Sequence, residues 1–171
     1  MKHSAFIGLG SNLANPSEQV LQAMKSIGCL PETRVLACSS LYRSAPVGYL
    51  DQPDFINAVV KIETSLAPLA LLQALLILER ENGRTREFQN APRTLDLDVL
   101  LYGDLQHHQH GLTVPHPQMH KRAFVLRPLL EIAPECVIPG VGAASQALKH
   151  CGDQQLELLA DNPASKGSAV K

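Results

Sequence analysis

"RTLDLDVLLYG", residues 93–103, is the stretch on which the fold turns. Side chains alternate along an extended chain, so Leu95, Leu97, Val99 and Leu101 fall on one face and Thr94, Asp96, Asp98 and Leu100 on the other. The apolar face calls for a core. The opposite face carries two carboxylates, with Arg93 at the entrance of the strand. It admits two readings: a polar surface turned to water, or a pair of acids gathered at a site.

Upstream, "SAFIGL" (4–9) reads as a first strand running into "GSN" (10–12). Asn15 as cap, Pro16 at the first helical position and Glu18 three residues after the cap spell a helix start. Val20, Leu21, Met24 and Ile27 carry that helix to Gly28. "TRVLACSSLYRS" (33–44) reads as a single second strand, "APVGYLDQPD" (45–54) as a loop and "FINAVVKIET" (55–64) as a third strand. A second helix, Pro68 to Asn82, is apolar on most faces and is expected to be largely buried.

The basic loop "GRTREFQNAPR" (83–93) leads into the fourth strand, 94–102. "GDLQHHQHG" (103–111) reads as a turn, and 112–134 as a Pro-bounded segment with a short helix from about Lys121. Residues 162–171 read as a disordered tail, leaving one domain over 1–161. The order β-α-β-β-α-β with C-terminal additions is that of an α+β, ferredoxin-like fold: an antiparallel sheet with helices packed on one face. Such a fold hosts many functions and decides none.

A chain of 171 residues is ample for one core. A net charge of -1 with 18% charged residues offers no electrostatic argument for nucleic acid or an anionic membrane. Cys29, Cys38, Cys136 and Cys151 form no C-x-x-C pair and no zinc spacing, which fits reduced thiols. "MKHSAFIGLGSN" reaches glycine too soon for a signal peptide, and "LAPLALLQALLILE" (66–79) is too short to span a membrane. A cytoplasmic protein without nucleic-acid or membrane partners is expected.

Asp96 and Asp98 stand roughly 6.6 Å apart at about 3.3 Å rise per residue. That spacing lets them converge on one hard cation or two. Arg84, Arg86 and Arg93 lie in the loop before them, and guanidinium groups bind phosphate in bidentate fashion. Acids and arginines together describe a magnesium–polyphosphate site; apart, they describe an amphipathic strand beside a solvated loop. His116, between two prolines, is a restricted imidazole able to reach a phosphate or a leaving group, and Arg122 a further phosphate contact. Their plainer fates are a turn histidine and a helix-surface cation. "HHQH" (107–110) reads as a solvated loop. "GLGSN" (8–12) lacks the third glycine of a dinucleotide motif and the lysine of a P-loop, and reads as a tight strand-to-helix connection. Tyr42, Phe55 and Asn57 flank a Pro/Gly loop where an aromatic face and an amide can hold a flat heterocycle.

Six motifs in order, "GLGSN", "SSLYRSAPVG", "DQPDFINAV", "LERENGRTR", "APRTLDLDVLLYG" and "VPHPQMHKRAFVLRPLLEIAP", resemble the 6-hydroxymethyl-7,8-dihydropterin pyrophosphokinases of folate biosynthesis over about residues 4–140. The resemblance implies a monomer that transfers pyrophosphate from ATP, its co-substrate, to the pterin hydroxymethyl group and releases AMP. It implies that Asp96 and Asp98 hold two magnesium ions and act in catalysis with Arg84 and Arg93. It implies that Arg86, Arg93, Val99, Thr113, His116 and Arg122 meet ATP, and that Ser44, Ala45, Pro46, Val47, Phe55, Asn57 and Phe124 form the pterin pocket. Glu79 falls at a family acid and is a supporting residue. Two departures stand out. Asn90 lies near the place where some relatives carry a tryptophan, with Phe88 close by, and Gly111 stands where some carry an arginine. Two other readings compete: a nucleotidyltransferase, which would release pyrophosphate, and a non-catalytic ligand-binding module on the same fold.

Overall fold

The computed structural model describes residues 1–13, 15–46, 51–81 and 95–160. Its first half runs β1 (His3–Ser11), α1 (Pro16–Gly28), β2 (Thr33–Cys38), β3 (Leu41–Ser44), β4 (Phe55–Thr64), α2 (Pro68–Glu81) and β5 (Asp96–Tyr102). There follow β6 (His107–Gln109), β7 (Leu112–Val114), α3 (Ala123–Ile132), β8 (Val137–Ile138), β9 (Gly142–Ala143), α4 (Ala144–Lys149) and β10 (Leu156–Ala160). The main sheet has the order β10-β3-β4-β1-β5, with β2 also on β4, and every pairing in it is antiparallel. With β2 and β3 taken as two halves of one strand, this is the α+β ferredoxin-like arrangement, in which β1 is central and flanked by β4 and β5.

The two helices of the β-α-β-β-α-β core lie on one face, where Ile7, Val60, Ile62, Leu71, Leu75 and Leu95 are fully buried. Each such side chain contributes about 1.5–3 kcal/mol by leaving water. The C-terminal additions cover part of the other face: α3 and α4 pack there on Val59, Leu100 and Leu101. The short elements β8, β9, α4 and β10 carry no periodic signal, and β10 extends the sheet beyond β3.

Several local expectations change. The second strand breaks at Ser39–Ser40, where Ser39 N still donates to the Val59 carbonyl (2.9 Å) but side chains take the remaining main-chain donors. The Ser39 hydroxyl accepts from Val59 N (2.9 Å), and Ser40 N donates to Glu131 Oε1 of α3 (2.9 Å). Asn15 adopts a left-handed conformation and makes no side-chain cap; its carbonyl accepts from Gln19 N instead (3.0 Å). The second helix is an outer-layer helix rather than a largely buried one: Leu76 and Ile77 are 38% and 46% exposed, and only the stripe Leu71, Leu75 and Glu79 is buried. "HHQH" takes part in a hairpin, β6–β7, turning at His110 and Gly111 with φ of 54° and 81°.

The alternation of 95–101 holds up to Val99 and then breaks. Ile7 pairs with Val99 but Phe6 with Leu101, so Leu100 is an extra residue in β5. Such a bulge reverses the faces beyond it. Leu101 therefore joins Val59 and Leu126 on the α3 side, and Tyr102 joins the α1–α2 core.

Candidate active site

The decisive geometry is one cross-strand row. Asp96 of β5 pairs with Gly10 of β1, Gly10 with Asn57 of β4, and Asn57 with Tyr42 of β3. The next row runs Asp98, Gly8, Val59. Directly paired residues share a face, so both aspartates and Asn57 stand on the same side of the sheet, separated by a strand that presents only glycines there. Gly8 and Gly10 belong to β1 itself rather than to a connection, and they make the trough. A Cβ at Gly10 would lie 3.5 Å from Asn57 Oδ1, and one at Gly8 3.4 Å from the Leu100 side chain. The signal for this role was present in the sequence, since G-x-G in a strand puts both glycines on one face.

The trough is the floor of a cleft of about 390 Å³. Asp96 and Asp98 stand at one end, and Ser44, Ala45, Phe55 and Asn57 at the other. His116, Arg122 and Phe124 form a wall over the floor, and Glu79 with Leu72 and Leu76 of α2 closes the side beyond β5. Ten of the expected residues are thereby brought together. Leu72, Leu76, Gly8 and Gly10 are additional lining residues.

Three expected residues do not line the cleft. Val99 is buried in the α1–α2 core, Thr113 sits on the β6–β7 hairpin with its hydroxyl 2.5 Å from His108 Nδ1, and Pro46 is half-buried at the end of β3. Tyr42 is buried, and its hydroxyl donates to Glu131 Oε1 (2.8 Å) instead of facing a ligand. Val47, Arg84, Arg86, Phe88, Asn90 and Arg93 lie outside the described residues, as does the tail 162–171.

Local hydrogen bonds fix the lining groups. Asn57 Nδ2 donates to Ser44 Oγ (2.8 Å), and the amide oxygen faces the Gly10 trough. Asn12, just after β1, holds the loop that enters β4 by donating to Gln52 Oε1 (2.7 Å) and the Pro53 carbonyl (3.0 Å). Glu79 is 2% exposed, and its Oε2 accepts from Leu97 N (2.6 Å). It thereby takes up the amide on the outer edge of β5 between the two aspartates, where no further strand among the described residues pairs.

His116 is tied to β5 through its own N–H, which donates to the Leu100 carbonyl (2.9 Å). Its Nδ1 accepts from Gln118 N (3.1 Å), so the ring hydrogen of the neutral imidazole sits on Nε2. Burial lowers its pKa to about 4, aided by the Arg122 guanidinium and opposed by Asp96. The imidazole is therefore a neutral donor near pH 7. The Arg122 guanidinium lies 5.5 Å from the Phe124 ring centroid.

Comparison with known proteins gives a consistent picture. The family model described as 7,8-dihydro-6-hydroxymethylpterin-pyrophosphokinase (HPPK) matches residues 6–134. The 2-amino-4-hydroxy-6-hydroxymethyldihydropteridine pyrophosphokinase of Haemophilus influenzae is 46% identical over 153 residues, covering 90% of this chain and 96% of that protein. The protein of the same name from Pseudomonas aeruginosa is 45% identical over 159 residues, covering 93% and 98%. A crystal structure of Plasmodium falciparum HPPK-DHPS with pterin and p-hydroxybenzoate has the same fold, with a TM-score of 0.68 at 14% identity over 87% of this chain. The chain spans 44% of that longer one.

Proposed function

The chain belongs to the 7,8-dihydro-6-hydroxymethylpterin-pyrophosphokinase family, and from that premise we propose that it carries pyrophosphate from ATP to 6-hydroxymethyl-7,8-dihydropterin in folate biosynthesis, releasing AMP. It is an enzyme, a diphosphotransferase. One observation carries the substrate reading: the row Asp96–Gly10–Asn57 sets a carboxylate pair and a neutral amide–aromatic pocket at the two ends of one trough. Two strand spacings, about 9.6 Å, separate those ends, so a polyphosphate at one and a flat acceptor at the other meet over the glycines.

Asp96 and Asp98 fit magnesium. They are hard oxygen donors, and among the described residues no third metal-ligating side chain completes a larger cluster. Magnesium on a nucleotide takes one or two carboxylates and fills its shell with water and phosphate oxygens. We assign two ions to this pair; bound with ATP, they supply neutralisation of the charge on the attacking and leaving oxygens. Glu79 supports the pair by holding the Leu97 amide between them.

At the phosphates, His116 donates from Nε2 and Arg122 from its guanidinium. Arg84, Arg86 and Arg93, from the segment before β5, complete the cationic set, with Arg84 and Arg93 acting at the transferred group. Thr113 and Val99 stand outside the cleft lining and are given no part in nucleotide binding. The pterin lies between Phe55 and Phe124 with its ring edge on the Asn57 amide, and Ser44 and Ala45 close that end; Pro46 and Val47 are carried as pterin contacts by the family resemblance alone. Its hydroxymethyl oxygen attacks the β-phosphorus in line; the new P–O bond forms as the bond to the AMP oxygen breaks, and the hydroxyl proton is released to water. One chain supplies both ends of the cleft, which supports a monomer. Four free thiols support a cytoplasmic setting, and no helix among the described residues is long and apolar enough to cross a membrane.

Product analysis tests the assignment. ATP, magnesium and 6-hydroxymethyl-7,8-dihydropterin with the purified chain should yield AMP and the pterin diphosphate in equal amounts. ADP, free pyrophosphate or turnover independent of the pterin would refute it.

A further inference from the structure

Glu131 stands outside the cleft, near the C-terminal end of α3, yet its carboxylate gathers three donors from the opposite layer. Ser40 N (2.9 Å) and the Tyr42 hydroxyl (2.8 Å) both donate to Oε1, and the Ser40 hydroxyl donates to Oε2 (2.7 Å). Ser40 is 1% exposed and Tyr42 6%. The contact falls at the break between β2 and β3, the point from which β3 takes its position.

β3 has four residues; it pairs with β4 over Tyr42–Asn57, Arg43–Ile56 and Ser44–Phe55, and on its other side with β10 over Leu156–Ser44, Glu157–Arg43, Leu158–Tyr42 and Ala160–Leu41. A slip of one residue would turn Tyr42 and Ser44 to the wrong face, and the Glu131 contacts tie the start of β3 to α3 against such a slip. Those two residues hold the Asn57 amide, Ser44 through Oγ (2.8 Å) and Tyr42 through its carbonyl (3.5 Å). The chain of contacts therefore runs from Glu131 through Ser40 and Tyr42 to Asn57 and Ser44, and it ends at the neutral end of the cleft.

We propose that Glu131 is a positioning residue for the heterocycle-binding end of the cleft, fixing β3 so that the Asn57–Ser44 pair presents its amide to the acceptor substrate. The inference rests on the pterin reading above for the identity of that acceptor. The Glu131 carboxylate contacts no reacting atom. Its effect belongs to acceptor binding and not to the nucleotide.

Steady-state kinetics with both substrates varied separately provide the test. Wild-type protein must first form AMP with the pterin; failure at that stage overturns the functional reading and leaves the geometry at Glu131 to be judged by acceptor binding alone. Given turnover, Glu131→Ala should raise KM for the pterin about tenfold and leave KM for ATP within about twofold. Tyr42→Phe, which removes one of the three donors, should raise the pterin KM about threefold. The double variant should match Glu131→Ala alone, because both changes cut one link. An unchanged pterin KM, a parallel rise in both KM values or additive effects would overturn the proposal. If Glu131→Ala does not fold, Glu131→Gln and Tyr42→Phe carry the same comparison. Glu131→Gln keeps one acceptor oxygen and should fall between wild type and Tyr42→Phe/Glu131→Ala in pterin KM.

Discussion

The two faces of β1 are built from alternate residues of one nine-residue strand, and they do opposite things. Ala5, Ile7 and Leu9 point into the α1–α2 core and are at most 3% exposed. Phe6, Gly8 and Gly10 point the other way, where only Phe6 meets packing from α3 and the glycines floor the cleft. The same division continues across the ladder: Leu97 and Val99 lie under α1 and α2, while Asp96 and Asp98 open to the cleft. One face invests in burial so that the other can carry acids at a fixed spacing. The difference teaches that stability and chemistry separate by sequence parity here, and parity can be attacked one residue at a time.

The largest effect should come from the acidic side. Asp96→Ala or Asp98→Ala should lower kcat/KM by on the order of 10³-fold, since each removes a carboxylate from the proposed magnesium pair. Both positions face the cleft, so thermal unfolding should remain cooperative with a midpoint close to wild type. Full activity in either variant would break the division of labour proposed for the two faces. A collapse of the fold would show instead that the acids are structural.

Ile7→Ala is the mirror experiment. Ile7 is fully buried on the core side, paired with Val99 of β5. Its truncation should cost about 2–5 kcal/mol in denaturant unfolding. Activity per folded molecule should stay within about twofold of wild type, because no cleft residue is lost. A large fall in kcat at full folding would mean that the core face tunes the site and that the parity rule is too simple.

Gly10 tests the trough itself. Its φ lies outside the left-handed region, and a Cβ there would meet Asn57 Oδ1 at an ordinary 3.5 Å. Gly10→Ala should therefore fold at least as well as wild type, and Gly10→Val better still by β-propensity. Both fill the space between the two substrates. Expected losses in kcat/KM are about tenfold for alanine and about 100-fold for valine, read against an unchanged or raised unfolding midpoint.

Much of this was legible before any coordinates. The Asp96–Asp98 pair, the leucines behind it and the β-α-β-β-α-β order follow from period-two and period-3.6 patterns, which are local properties. What escaped reading depends on distant partners. The bulge at Leu100 flips Leu101 and Tyr102 only because Phe6 and Ile7 of another strand set the register. The break at Ser39–Ser40 depends on Glu131, 91 residues further along the chain from Ser40. α2 looks like a buried helix by composition, but Leu72 and Leu76 border the cleft and Ile77 faces outward. Elements of two to six residues after Pro134 leave too short a pattern for any period to show.

His116 gives the smallest and most selective test of the wall over the trough. Its pKa falls from the usual 6.5 to about 4, mainly by burial and then by the Arg122 charge, with Asp96 pulling the other way. Between those two pH values the unfolded chain binds a proton at this residue and the native chain does not. Native stability therefore falls as pH drops from about 6.5 toward 4 and gains nothing further above that window. For a partly exposed ring the contribution is about 1–2 kcal/mol. His116→Gln, which cannot titrate, should flatten this part of the stability–pH curve in denaturant titrations at low ionic strength. Above pH 7 His116→Ala, which unlike glutamine leaves no side-chain donor, should lower kcat/KM by about ten- to 100-fold through the lost Nε2 donor. An equal slope in wild type and variant would mean that the folded ring takes up its proton as the unfolded chain does, near pH 6.5. Below that pH His116 would then sit in the cleft as a cation beside Asp96 and Arg122, and burial would not hold the wall neutral.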